Sequence, residues 1–209
     1  MFHTTMTSVA LSAPEPFTCA EVPKQAGEVD AATIAACRRG EPLALRRFVV
    51  CYQNTVFAFV SRMLGAGPHV EDIAQEVFLR AYRALPRFEW RDNARVSTWL
   101  LRIAVRVVQD SRKRQRMNTI PLADSKPRGH QQTPEVERRR RAIAAAFEKA
   151  AAALPQEQRL VFVLAEFHGQ SMQQIGDMLG VPTNTVKTRL FRARTRLREL
   201  LARTWEEYR

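Results

Sequence analysis

The 209-residue chain is poor in cysteine, histidine and acidic residues, and each shortage closes off a class of function. Its three cysteines, Cys19, Cys37 and Cys51, form no CxxC pair and match no zinc spacing, which excludes a disulfide framework and a structural zinc site. An odd count with no pairing pattern suits a reducing cytoplasm. Cys37 and Cys51 are expected as small core residues. The four histidines, His3, His69, His130 and His168, are scattered, and the acids show no ligand spacing. No catalytic residue, metal or cofactor is therefore expected. No uninterrupted apolar stretch reaches the length of a bilayer span, so direct membrane insertion is not expected. No Lys or Arg precedes Lys24, and Pro14 and Pro16 break the weak apolar run Val9-Ala10-Leu11, so no secretory signal is expected. These features predict a soluble, cytoplasmic protein. No stretch sustains the two-residue alternation of a half-buried strand, which leaves an all-α fold.

What is present points to a polyanionic partner. Lys and Arg number 33 against 21 Asp and Glu, a net charge of +12. Such a balance is the electrostatic footprint of nucleic-acid binding. Hydrophobic residues make up 45% of the chain, enough for a real core.

Proline and glycine divide the chain. Residues 1–28 hold Pro14, Pro16, Pro23 and Gly27 and read as a flexible N-terminal arm. Residues 29–117 are patterned as a helical domain. Residues 118–134, with Pro121, Pro127, Gly129 and Pro134, read as an extended linker that reaches on the order of 50 Å. Residues 135–209 are helical again. The prediction is two helical domains joined by a linker.

In the first domain, one helix is expected from Asp30 to Arg39. A second, opened by Pro42, carries Leu45, Phe48, Val49, Tyr52, Val56, Phe59, Val60 and Met63 at helical spacing. A third follows Pro68. It places Val70, Ile73, Val77 and Ala81 on one face, with Asp72, Gln75, Glu76, Leu79 and Arg83 opposite. A loop from Pro86 to Val96 precedes a fourth helix near Ser97 to Arg116, with Leu100, Ile103 and Val107 inward. Its other face, Arg102, Arg106, Gln109, Lys113 and Arg116, is a basic stripe spaced four, three, four and three. Asp110 is the sole acid beside it. Unbalanced rows of this kind neutralise phosphates.

The second domain carries the sharpest signal. Leu160, Val161, Leu164 and Phe167 are expected to form the buried side of a supporting helix after Pro155, placed at its first position. Ser171 is expected to cap a helix over Met172 to Leu179, and Gly180 to supply a tight turn at positive φ. Pro182 and Thr183 open a last helix with Val186, Leu190, Ala193, Leu197 and Leu200 inward. Asn184, Lys187, Thr188, Phe191, Arg192 and Thr195 face outward. This is the layout of a helix-turn-helix, whose second helix enters the major groove of DNA. Arg and Lys pair guanine, Asn pairs adenine, and Phe and Thr methyl groups contact the thymine methyl.

Two sets of residues resemble one family. Asp72-Ile-Ala-Gln-Glu-Val-Phe-Leu-Arg-Ala-Tyr-Arg-Ala-Leu85, followed by Ser97-Thr-Trp-Leu-Leu-Arg-Ile-Ala104, resembles the second conserved region of bacterial sigma factors. Leu154-Pro-Gln-Glu-Gln-Arg-Leu and Thr185-Val-Lys-Thr-Arg-Leu-Phe-Arg-Ala-Arg194 resemble the fourth. The short two-domain layout is similar to the extracytoplasmic-function (ECF) group, and the likeness covers residues 30 to 205. The resemblance implies a non-enzymatic subunit that binds core RNA polymerase and directs it to promoters. It places Asp72, Gln75, Glu76 and Phe78 on the helix that docks polymerase, with the polar members making the contact and Phe78 equally suited to the core. It assigns Phe88, Trp90, Arg91, Asn93, Arg102, Arg106, Gln109 and Lys113 to reading and melting the minus-ten element. Aromatic and basic residues of that loop are the types that hold an unstacked base. It assigns Asn184, Lys187, Thr188, Phe191 and Arg192 to the minus-thirty-five element. It also implies an anti-sigma partner, while the linker threads through polymerase. Two departures stand out. The loop between Leu85 and Thr98 is longer by about two residues than is usual in the group. Arg106 stands where the fourth helix often carries an Asn.

Two other classes use similar residues. A self-sufficient repressor or activator would read two half-sites as a dimer, but no dimer helix is evident and the first domain would have no task. A DNA-processing enzyme would need the nucleophile or carboxylate cluster that the chain lacks.

Overall fold

Local chemistry starts and stops most of the helices. Asp30 accepts the Thr33 N–H at 2.8 Å and caps α1 (Ala31–Arg38), and Gly40 follows at φ +79°. Pro42 is the first residue of α2 (Pro42–Leu64), where its missing N–H costs nothing. After the turn at Gly65 come α3 (His69–Ala84), a 3₁₀ turn at Leu85–Arg87, and α4 (Val96–Met117). The second domain contains α5 (Glu135–Ala152), α6 (Gln156–Phe162), a π-helical turn (Val163–Phe167), α7 (Met172–Leu179) and α8 (Thr183–Glu207). This computed structural model describes residues 28–65, 67–89, 95–117 and 135–207, and among them there is no strand. The predicted arm up to residue 27, the predicted linker 118–134, and Trp90, Arg91 and Asn93 lie outside the described residues.

The first core is built where α2, α3 and α4 meet. Val56, Phe59, Val60 and Met63 of α2 are buried against Ala74, Val77 and Ala81 of α3. Burying a side chain the size of Phe59 contributes about 1.5–3 kcal/mol. The inner face of α3 is Val70, Ala74, Val77 and Ala81, with Ile73 only half-buried and Ala74 taking the inner position. The buried face of α4 is also wider than the expected stripe. Leu101, Val105 and Val108 are buried beside Leu100, Ala104 and Val107, while Ile103 is half-buried. Both α2 and α3 pack on α4, so its apolar arc must serve two neighbours. Cys37 is buried and Cys51 half-buried, neither in a disulfide among the described residues, and burial raises the pKa of both thiols.

The second core joins α6, α7 and α8 through Leu160, Val161, Leu164, Ile175, Val186, Leu190 and Ala193. Pro155 precedes α6 as its N-cap, with φ −52° and ψ 140°, rather than filling the first helical position. A cap residue is extended, and proline accepts that geometry as readily as the first helical one. The π turn is a local widening of the helix that carries Phe167 and His168 towards the first domain. There the Arg62 guanidinium lies 4.2 Å from the Phe167 ring centroid. The His168 ring packs edge-on to Phe59 at 5.7 Å, and the Thr98 hydroxyl donates to Gln170 Oε1 at 3.0 Å.

His168 makes this contact pH-sensitive. Burial, and secondarily the positive charge of Arg62, hold its imidazole down to about 4. An exposed imidazole titrates near 6.5. Between those values the unfolded chain binds a proton that the folded chain refuses. Stability is therefore full above about pH 6.5 and falls as pH drops towards 4, by up to about 3 kcal/mol. Thermal melting from pH 7.5 to 4.5 should show this slope in the wild type and a flatter one in His168→Phe. Identical slopes would remove His168 as its source.

Candidate nucleic-acid interface

The helix-turn-helix is built from short-range bonds. Ser171 Oγ accepts the Gln174 N–H at 3.1 Å, and Gln174 Oε1 accepts the Ser171 N–H at 2.8 Å, a complete capping box. Gly180 ends α7 in the left-handed region at φ +66°. The Val181 N–H then returns to the Gly176 carbonyl at 3.1 Å, and the Thr183 hydroxyl donates to Gln173 Oε1 at 3.0 Å. Gly176 permits the close approach, because a Cβ there would lie 2.8 Å from the Val181 carbonyl oxygen. Sequence reasoning passed over Gly176, although a glycine inside a helical pattern is a signal of close packing.

The outer face of α8 is as expected. Asn184, Lys187, Thr188, Phe191 and Arg192 are all exposed, Phe191 to 71%. The Thr188 hydroxyl donates to the Asn184 carbonyl at 3.0 Å, which commits its proton to the helix. The four basic residues between Thr183 and Arg194 divide into two pairs. Arg189 pairs with Glu157 of α6 at 2.5 Å, and Arg194 pairs with Glu166 of the π turn at 2.5 Å. Lys187 and Arg192 form no ion pair among the described residues, and their charge is turned to solvent.

In the first domain, Arg102, Arg106, Gln109 and Lys113 are exposed along α4. Asp110 is drawn aside by Arg80 at 2.8 Å, and Arg80 also holds Glu76 at 2.7 Å. These two carboxylates, Asp110 first, raise the pKa of the Arg80 guanidinium further. The single acid beside the basic stripe is thus neutralised from α3.

Two of the expected site residues turn towards the core, the alternative left open for Phe78. Phe88 is buried and packs on Trp99 with ring centroids 4.9 Å apart, so it anchors the loop and presents no stacking face. Phe78 is half-buried, edge-on to Phe48 at 6.4 Å, on the core side of α3. An apolar residue next to a loop or a polar face gains more by reaching the core than by staying wet. Asp72 and Gln75 are exposed on α3, and Leu79 and Tyr82 are about half-exposed there. These four share one stripe, spaced three, four and three. Tyr82 was not among the expected residues.

The two domains meet at a cleft of about 450 Å³ lined by Gln109 of α4 and by Glu157, Arg189 and Arg192 of α6 and α8. Gln109 of the polar face of α4 and Arg192 of the outer face of α8 therefore open onto one space.

Two helical domains, one ending in a capped helix-turn-helix with an exposed basic face, define a sequence-specific DNA-binding protein. The chain matches Sigma-70 region 2 over residues 48–117 and Sigma-70, region 4 over residues 144–197. It is 30% identical over 177 residues to the RNA polymerase sigma-H factor of Pseudomonas aeruginosa, covering 80% of this chain and 91% of that one. It is also 30% identical over 178 residues to the ECF RNA polymerase sigma factor SigW of Bacillus subtilis, covering 80% and 94%. Among solved structures, the sigma factor RpoE of Bartonella quintana, in complex with the anti-sigma factor NepR, superposes with a TM-score of 0.60 at 22% identity. That match covers 75% of this chain and 96% of that one. CnrH, in complex with the cytosolic domain of CnrY, gives 0.57 at 24% identity, covering 82% and 96%. The chain belongs to the sigma-70 family, in its ECF group. It is a transcription initiation factor that binds core RNA polymerase and directs it to promoters, and it is not an enzyme. No described helix is long and apolar enough to cross a membrane.

Proposed function

We propose that this factor divides promoter recognition between its two domains. The exposed face of α8, from Asn184 to Arg192, reads the minus-thirty-five element in the major groove. The segment 89–95 and the Arg102, Arg106, Gln109 and Lys113 face of α4 hold the minus-ten element. Asp72, Gln75 and Glu76 of α3 dock core polymerase. The observation that carries this reading is the sorting of cations in the first half of α8: Arg189 and Arg194 serve the scaffold, while Lys187 and Arg192 on the outward face have no ion-pair partner among the described residues. Cations left unpaired on the N-terminal half of a second helix are placed to meet bases and phosphates.

The meeting of the two domains at this cleft supports dependence on polymerase. Elements about 25 base pairs apart lie on the order of 80 Å apart along DNA. Gln109 and Arg192 cannot serve both elements while lining one cleft, so the domains part when promoter DNA is engaged. A self-sufficient repressor would bind a palindrome tightly without polymerase. Run-off transcription with core polymerase and a genomic library tests the choice. Discrete starts that need this protein support the reading, and their absence beside tight DNA binding by the protein alone overturns it.

Arg192→Ala should weaken use of promoters carrying the upstream element by about 1–3 kcal/mol, roughly fivefold to 150-fold. Core affinity should not change. Transcription competition between promoters with intact and scrambled upstream elements measures this, and an equal loss on both would show that Arg192 reads no base.

The factor acts in the cytoplasm under an anti-sigma partner. The structural neighbour RpoE, solved in complex with the anti-sigma factor NepR, supports this. Native purification with no inhibitory protein, alongside constitutive activity in cells, would remove the partner from the scheme.

A further inference from the structure

We infer that Glu28 is a positioning residue for promoter melting: its carboxylate caps the first turn of α4 and fixes the end of the base-reading segment. The inference rests on the proposed minus-ten reading. The first N–H groups of a helix have no partner within it. Most helices meet this need with a Ser, Thr, Asp or Asn just before the first turn. Here that position is Arg95, whose side chain has no acceptor. The acceptor comes instead from 68 residues earlier. Glu28 Oε2 receives the Val96 N–H at 2.9 Å, and Glu28 Oε1 receives the Ser97 hydroxyl at 2.5 Å. A carboxylate at a helix N-terminus also meets the positive end of the helix dipole.

Glu28 is itself held in place. The next residue, Val29, is buried, and its N–H donates to the Tyr52 hydroxyl at 3.3 Å. Burial pushes the Tyr52 phenol up, so that hydroxyl stays neutral. Asp30 then caps α1. Three consecutive residues therefore tie this stretch of chain to three different helices.

The other end of the base-reading segment is tied to the same turn of α4, because Phe88 is buried against Trp99. Both ends of the chain between Phe88 and Val96 thus converge on residues 96–99. The segment lies within the Leu85–Thr98 loop, whose length the family resemblance marks as a departure. A longer loop loses more freedom when it is ordered. A fixed capping carboxylate limits where its far end lies, and an error of about 1 Å in placing reacting or recognised groups can cost a hundredfold. Glu28 lies outside residues 48–117, the span that matches Sigma-70 region 2.

The test uses holoenzyme assembled from the full chain and core polymerase on a promoter found by run-off transcription. Opening is followed by permanganate reactivity of unpaired thymines in the minus-ten element. Core affinity and thermal melting are measured on the same preparations. Glu28→Ala should slow opening about tenfold, with core affinity within twofold and upstream-element preference unchanged. Glu28→Gln retains one acceptor oxygen and should restore part of the rate. Ser97→Ala should give a smaller loss that does not add to that of Glu28→Ala, because the two share one contact. Trp90→Ala and Arg102→Ala test the underlying reading. Normal opening by Glu28→Ala beside slow opening by those two overturns the positioning role and leaves the reading intact. Normal opening by all three overturns both. A Glu28→Ala defect that vanishes at temperatures well below its melting point reduces the residue to a stabilising role and also overturns the inference.

Discussion

Gly176→Val is expected to abolish transcription from promoters that need the upstream element, with core polymerase affinity retained. A Cβ at residue 176 would meet the Val181 carbonyl oxygen at 2.8 Å and approach the Thr183 nitrogen at 3.8 Å. Both atoms are backbone, so neither can turn away as a side-chain tip could. The Val181 N–H is bonded to the carbonyl of Gly176 itself, so moving the turn to make room breaks the bond that sets its angle. Overpacking of this kind costs about 1–3 kcal/mol, and the branched valine lies at the upper end. That is a large share of the stability of a small domain. The direct consequence is misorientation of α8 relative to α7, and a recognition helix that cannot settle in the groove reads nothing. Upstream-dependent transcription should fall more than a hundredfold, Gly176→Ala should lose less, and both should compete normally for core polymerase. Wild-type transcription by the valine variant would show that the helices need no such close approach.

Asp72→Lys should produce the opposite pattern, with core affinity falling about 30-fold to 1,000-fold. That range corresponds to about 2–4 kcal/mol, the loss usual for a central residue of a protein interface. Asp72 is exposed in the first turn of α3, where a negative charge also suits the helix dipole. Its replacement by lysine costs the fold about 0.3–1 kcal/mol, too little to unfold the domain. Glu76 would be a less clean choice, because reversing it would also disturb the Glu76–Arg80–Asp110 chain that joins α3 to α4. Leu79 and Tyr82 extend the stripe with half-exposed apolar surface, the kind of surface that anchors a docking partner. Competition against another sigma factor for core polymerase measures the change. Unchanged core affinity with impaired promoter melting would move Asp72 from the polymerase face to the DNA face.

Features that depend on neighbours within four residues are legible in the amino-acid order alone. Ser171 and Gly180 bracket α7 as expected, because a cap and a left-handed stop are local chemistry. Val186, Leu190, Ala193 and Leu197 face inward as their spacing of four, three and four requires. The all-α class, the two-domain order and the outward row from Asn184 to Arg192 follow from the same periodicity. The fates of Phe78 and Phe88 do not follow, because an aromatic residue beside a polar face reads the same whether it turns in or out.

Composition and short-range periodicity were thus enough for the class of fold, the helix-turn-helix and the sign of the partner's charge, and the motifs they frame were enough for the family. It took the packing of the helices to show which cations are committed to carboxylates and which face solvent. Arg194 and Lys187 are indistinguishable as outward cations until Glu166 is brought within 2.5 Å of the former. The same packing joined Glu28 to the first turn of α4 across 68 residues and set Arg62 on Phe167 between the domains. Contacts between distant residues depend on how several helices pack at once, and no periodicity in a single segment carries that information.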